Sequence, residues 1–158
     1  MTTLSAERIG ELVVEALERT AFVLVDVVDD KQAKELPPPS QHVRVQFSGA
    51  ACGSIILSAT EGFLLELASS ILGVEATEVT LEKEGKDALG ELSNIVGGSV
   101  ILELGGEDRY IKYGLPSAIN ESDLPEDSER IIKCYFECEG ELLVVTWQPL
   151  QNEQAAAA

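Results

Sequence analysis

Apolar residues recur along the chain with two different periods, and the switches between those periods mark out its elements. Over residues 5–19, Ile9, Leu12, Val13, Ala16 and Leu17 repeat at helical spacing while Glu7, Glu11, Glu15 and Glu18 stay off the stripe, which predicts an amphipathic helix. A β-branched run over 21–28 predicts a strand. Residues 29–40 hold three consecutive prolines and no apolar period, so a flexible loop is expected there. Val43, Val45 and Phe47 then alternate with Arg44 and Gln46, the signature of a half-buried strand; the next segment supplies a hairpin turn and a second strand. Residues 61–72 read as a helix with Thr60 as N-cap and Gly73 as its stop. The longest helix is expected over 86–104, ending near Gly105-Gly106. Strands follow over 110–119, 129–137 and 141–148, the last two joined by a tight turn at Glu139-Gly140.

This order, α-β-β-β-α-α-β-β-β, predicts an α+β fold whose largely antiparallel sheet carries two long helices and a shorter one. Residues 1–150 are read as one domain, and 151–158, with nothing to bury, as a frayed tail. A faint repeat links Ile9–Val13 with Leu89–Ser93; if it reflects duplication, Glu11 corresponds to Glu91, and Val14 stands where Asn94 does.

Composition changes the picture in one respect. Apolar residues make up 45% of the 158, as in many globular domains, but 28 acidic residues face 11 basic ones, for a net charge of −17. Such a surface repels phosphate backbones and anionic lipid, which argues against nucleic acid and membrane as partners. No apolar run approaches the roughly 18 residues of a membrane span. The charged N-terminal helix does not read as a signal peptide. Three cysteines form no disulfide framework: Cys134 and Cys138 share a strand face with Phe136 and read as core. The lone histidine, His42, lies in another segment, so no metal site is expected. Together these point to a reduced, cytoplasmic protein.

Candidate chemistry concentrates in the long helix, "KDALGELSNIVGGSVILEL". At 100° per residue, Asp87, Glu91 and Asn94 fall within about 60° of one another, with Gly98 on the same side and Leu89, Leu92, Val96 and Val100 opposite. The pair Gly97-Gly98 costs about 1 kcal/mol per residue against alanine in a helix interior, so a compensating close approach is expected. Spacing alone leaves two readings open. Either the polar residues are merely solvated and the glycines make room for a neighbouring helix, or the face is functional.

The order Asp87, three residues, Glu91, two residues, Asn94, and then Pro116 after a further 21 residues (95–115) resembles the signature of the CheC/CheX/FliY phosphatases of bacterial chemotaxis. Residues 47–73, "FSGAACGSIILSATEGFLLELASSILG", resemble the strand-turn-strand-helix that precedes the motif helix in CheX-like proteins. The resemblance implies a CheC-like fold and a phosphatase acting on the aspartyl phosphate of a response regulator such as CheY. Glu91 would pair with the regulator's lysine, and Asn94 would orient the attacking water. Asp87 would orient the helix face or contact the partner, Gly98 would let the partner's loops approach, and Pro116 would shape the neighbouring strand. The magnesium ion would belong to the regulator, with no cofactor in this chain. Two-site relatives carry a second Glu-x-x-Asn; here the counterpart reads "ELVV", which implies a single-motif, CheX-like member and, with it, a homodimer formed through sheet edges. The competing reading is a non-catalytic binding or structural module on the same fold, as in flagellar switch proteins. A generic acidic adaptor is a weaker rival. No P-loop or GxGxxG motif supports an independent nucleotide-using enzyme.

Overall fold

A computed structural model describes residues 4–49, 52–105 and 111–150. The first helix, α1 (Ala6–Ala21), starts where the Ser5 hydroxyl accepts the Arg8 N–H. The expected apolar stripe of α1 is buried, and its four glutamates are exposed. The helix runs past the expected end, because Ala16, Leu17 and Ala21 continue the buried stripe. Phe22 then terminates it in the left-handed conformation. The strand expected over 21–28 therefore shrinks to β1 (Asp26–Val28).

The expected loop over 29–40 contains a short helix, α2 (Asp30–Ala33), held by a capping box. Asp29 accepts the Gln32 N–H, and the Gln32 side chain accepts the Asp29 N–H. The Tyr135 hydroxyl donates to Asp30 at 2.9 Å and so ties α2 to the sheet.

Strands β2 (Gln41–Gly49) and β3 (Gly53–Ala59) pair antiparallel with the predicted alternation. Helix α3 (Glu61–Leu72) has the expected cap at Thr60 and stop at Gly73, whose φ is 70°. A wide helical turn over Leu81–Gly85 leads into α4 (Lys86–Gly105). The strand expected over 110–119 is two short strands, β4 (Ile111–Tyr113) and β5 (Ser117–Ile119); its first residue, Tyr110, lies outside the described residues. Pro116 has no N–H to continue the ladder, and Gly114 donates instead to the Gln46 carbonyl, so the two halves bond to different stretches of β2. Strands β6 (Ile132–Cys138) and β7 (Glu141–Pro149) form the expected hairpin, with positive φ at both Glu139 and Gly140. Residues 50–51, Gly106 and the tail over 151–158 lie outside the described residues.

All pairings in the seven-stranded sheet are antiparallel, in the order β1-β6-β7-β3-β2-β4, with β5 beside β4 on the outer edge of β2. The α+β expectation holds. Helices α1, α3 and α4 pack on one face, over Val43, Val45, Phe47, Leu57, Phe136 and Val145. Cys134 belongs to this core, and burial pushes its thiol up to about 11, as the core reading implies.

The far face is more polar. His42 and Ser58 are both buried, and His42 Nδ1 lies 2.7 Å from the Ser58 hydroxyl, sharing a hydrogen bond with it. Burial holds the His42 imidazole below its ordinary range, an effect that Glu121 only partly opposes. Because the folded pKa lies below the unfolded one, the unfolded chain takes up the proton first on acidification. The contribution of neutral His42 is thus complete above about pH 6.5 and is lost as pH falls below it toward the folded pKa. The Glu103 carboxyl, held below its usual range by the hydrogen bond from Arg8, titrates below that window. His42→Gln should therefore show a smaller fall in melting temperature than the parent chain between about pH 7.5 and about pH 5.5, measured by thermal circular dichroism.

Candidate functional site

Helix α4 owes its orientation to four side chains. Leu89, Leu92, Val96 and Val100 are fully buried, worth roughly 1.5–3 kcal/mol each relative to exposure. Ser93, also buried, returns its hydroxyl proton to the Leu89 carbonyl at 2.8 Å and so leaves no polar group unpaired. With that side committed, helical geometry turns Asp87 and Glu91 fully outward and leaves Asn94 and Gly98 half-buried at the surface.

The two glycines prove to have different surroundings. Gly97 is buried against β2, where a Cβ would stand 3.7 Å from Val45 and 3.8 Å from Phe47. Gly97 thus faces the sheet and not a helix, and since a Cβ there would make only ordinary van der Waals contact, the expected close approach does not account for it. At Gly98 a Cβ would meet nothing within 4 Å, so no contact among the described residues explains it.

Several neighbouring charges are already engaged. Lys86 pairs with Glu82 at 2.9 Å, and Arg8 pairs with both Glu11 and Glu103. One oxygen of Glu84 accepts from the Thr80 N–H and hydroxyl, which holds its carboxyl below the usual range. By contrast, Asp87, Glu91 and Asn94 make no side-chain hydrogen bond or ion pair among the described residues. Two carboxylates and an amide therefore stand on one helix face with their polar atoms unspent.

This stripe runs between two hollows. On one flank a groove of about 370 Å³ lies between α3 and α4, lined by Ala68, Ile71, Leu72, Asp87, Ala88 and Glu91. On the other flank a cavity of about 750 Å³ separates Lys86, Leu89 and Gly90 from Pro116, Val43 and His42. The structure thus gathers Asp87, Glu91, Asn94 and Gly98 on one face and sets Pro116 across the cavity from it. Ile71 and Leu72 were not anticipated. Their one signal is an apolar pair next to the helix stop at Gly73, where the buried stripe of α3 has already ended.

No group of three or more metal-ligating side chains occurs among the described residues, and no helix there is long and apolar enough to cross a membrane.

Residues 42–137 match the model of one protein family, described as chemotaxis phosphatase CheX. A comparison with curated protein sequences finds no match. Among solved structures, the chain is similar to the chemotaxis protein CheX from Vibrio vulnificus, with TM-score 0.72 and 16% identity, over 94% of this chain and 100% of that one. It is also similar to a chain in the CheX-CheY-BeF3-Mg complex from Borrelia burgdorferi, with TM-score 0.67 and 17% identity, over 92% and 97% of the two chains. A chain of the FliM-SpeE complex from H. pylori matches with TM-score 0.56 and 6% identity, over 93% and 85%. At such identities the structural matches establish the shared fold.

The open space at Gly98 has a direct consequence for the isolated chain. Gly98→Ala should raise stability by about 1 kcal/mol through helix propensity alone, read as a higher urea midpoint with an unchanged m-value.

Proposed function

The chain belongs to the CheX family, and from that premise we propose that it hydrolyses the aspartyl phosphate of a CheY-like response regulator. The observation that carries this reading is the unspent polarity of the α4 face. Glu91 and Asn94 have no partner inside the described chain, and the helix that bears them is held rigidly by its buried side. Phosphoryl transfer asks a protein mainly for positioning and charge stabilisation, and both can be supplied by preorganised side chains at a surface.

In the proposed complex Glu91 pairs with the regulator's active-site lysine and fixes the register of the two proteins. Asn94, one turn further on, enters the regulator's site. There its amide oxygen accepts a hydrogen bond from the attacking water and orients it in line with the phosphorus. A neutral amide suits that position, because a third carboxylate beside the phosphoryl group would be repelled. The magnesium ion belongs to the regulator and supplies charge neutralisation at the phosphoryl oxygens. Gly98, with open space above it, lets the regulator's loops close on the helix. Pro116 shapes the wall of the cavity beside the helix. A non-catalytic module of the flagellar switch type would share the fold, but it would have no use for a free Glu91 and Asn94 in this register.

Phosphate release from phosphorylated receiver domains of the same genome tests the reading. Asn94→Ala should lower turnover by about 10²–10³ with little change in affinity, the cost typical of losing one positioned group. Glu91→Ala should chiefly weaken complex formation. The Gly98→Ala chain, more stable alone, should turn over less. If none of the regulators loses phosphate faster in the presence of the wild-type chain, the enzymatic reading fails.

We also propose that the chain acts as a homodimer joined along a sheet edge. Both outer edges carry exposed apolar residues, Leu24 and Val27 by β1 and Tyr113 and Leu115 by β4. Sedimentation equilibrium should give twice the chain mass, and Leu115→Glu and Val27→Glu should identify the edge, only one of them yielding monomers.

A further inference from the structure

The α3–α4 groove holds exposed apolar side chains where the chain gains nothing from them. Ile71 is 41% and Leu72 56% exposed, at the last turn of α3. Their side of the groove faces Asp87 and Glu91, the two carboxylates without partners, and Glu84 stands beside them. No Lys or Arg lines the groove. An apolar floor with an anionic rim and no cation of its own is complementary to one kind of surface, an apolar side chain with basic groups next to it. A second strongly acidic copy of this chain is a poor match for that rim, since the net charge is −17.

The groove shares Glu91 with the face proposed to meet the response regulator, so whatever docks against Glu91 must cover it. We infer that the α3–α4 groove is the part of the docking surface that selects the regulator. It takes an exposed apolar side chain of the receiver domain on Ile71 and Leu72, while Asp87 pairs with a second basic residue beside that side chain. This rests on the reading of the chain as a response-regulator phosphatase and adds a specificity determinant to it. Affinity is then divided between Glu91 and the groove, and the chemistry stays with Asn94.

The test uses the receiver domain loaded with beryllofluoride and magnesium, a stable stand-in for its phosphorylated form, titrated against the full chain. Leu72→Lys is suited to it, because lysine is a good helix former, favourable at a helix C-terminus and placed near three carboxylates. The fold is therefore retained while an incoming basic partner is repelled. Leu72→Lys should weaken binding by about tenfold or more, as loss of an interface anchor does, and Leu72→Met should bind like wild type. At saturating chain, the rate of phosphate loss from the phosphorylated regulator should match wild type for both, whereas Asn94→Ala binds and turns over about 10²–10³ more slowly. Should circular dichroism show a structural change in Leu72→Lys, Ile71→Lys provides the same measurement. Affinity of the folded lysine variants within about twofold of wild type overturns the groove assignment and leaves the phosphatase reading intact. Dissociation of a dimer by Leu72→Lys with regulator affinity preserved does the same and gives the groove to a second copy. If wild type binds no loaded receiver domain, both the groove assignment and the reading beneath it fail.

Discussion

The chemistry proposed for this protein depends on the rotational phase of α4. A helix offers its neighbours a fixed sequence of faces, and burial of Leu89, Leu92, Val96 and Val100 against the sheet selects one of them. Turning the helix by a single residue would expose two or three of those side chains, at a cost well above the few tenths of a kcal/mol that an exposed polar contact returns. Gly97 lies on that same buried side, facing Val45 and Phe47 of β2. Asp87, Glu91, Asn94 and Gly98 are therefore presented outward because the core leaves them no alternative. Preorganisation of this kind comes from packing, and the polar residues contribute nothing to it.

Charge pairing sets the second condition. With 28 acidic and 11 basic residues, most carboxylates must go without an internal partner, so an unpaired glutamate means little by itself. What distinguishes Glu91 is its setting. The nearest cation on its own helix, Lys86, is drawn toward Glu82, and Arg8 is shared between α1 and the end of α4 through Glu11 and Glu103. The exposed pairs with Glu82 and Glu11 add little to stability, whereas the part-buried, two-pronged pair of Arg8 with Glu103 ties α1 to α4. Their effect is to draw Lys86 and Arg8 away from the motif face, whose carboxylates make no ion pair among the described residues.

The parts of the fold that could be read from the sequence are those decided locally. The alternation in β2, the Thr60 cap, the Gly73 stop and the Glu139-Gly140 turn each follow from a side chain's own conformational preference, and each is found in the structure. The misreadings involve choices made elsewhere. Residues 21–28 are rich in strand formers, Phe22, Val23, Val25, Val27 and Val28, yet α1 claims Ala21 to complete its buried stripe, and β6 offers pairing only to Asp26–Val28. The capping box that makes α2 was hidden by the prolines that follow it. The division of β4 from β5 depends on how Gly114 and Pro116 meet β2. For the candidate site, spacing gave the shared face but not its freedom from internal partners. The α3–α4 groove was not legible at all, since exposed apolar residues at a helix end gain meaning only beside the helix that faces them.

The comparison of α1 with α4 shows what separates a surface helix from a candidate working one. Both carry a glutamate after Gly and before Leu, Glu11 in one and Glu91 in the other. In α1 that glutamate accepts from Arg8 at 2.9 Å, and three residues on stands Val14, half-buried in a hollow beside Glu7, Gly10 and Val27. An apolar side chain there cannot orient water, and a partner's lysine would have to displace Arg8 to reach Glu11. In α4 the corresponding carboxylate is free and the corresponding position is an amide. Whether or not the two helices descend from one ancestral unit, only one of them has both groups that the proposed reaction requires. A single chain would then engage one regulator through α4 and leave α1 to hold the C-terminal end of that helix in place through Arg8 and Glu103.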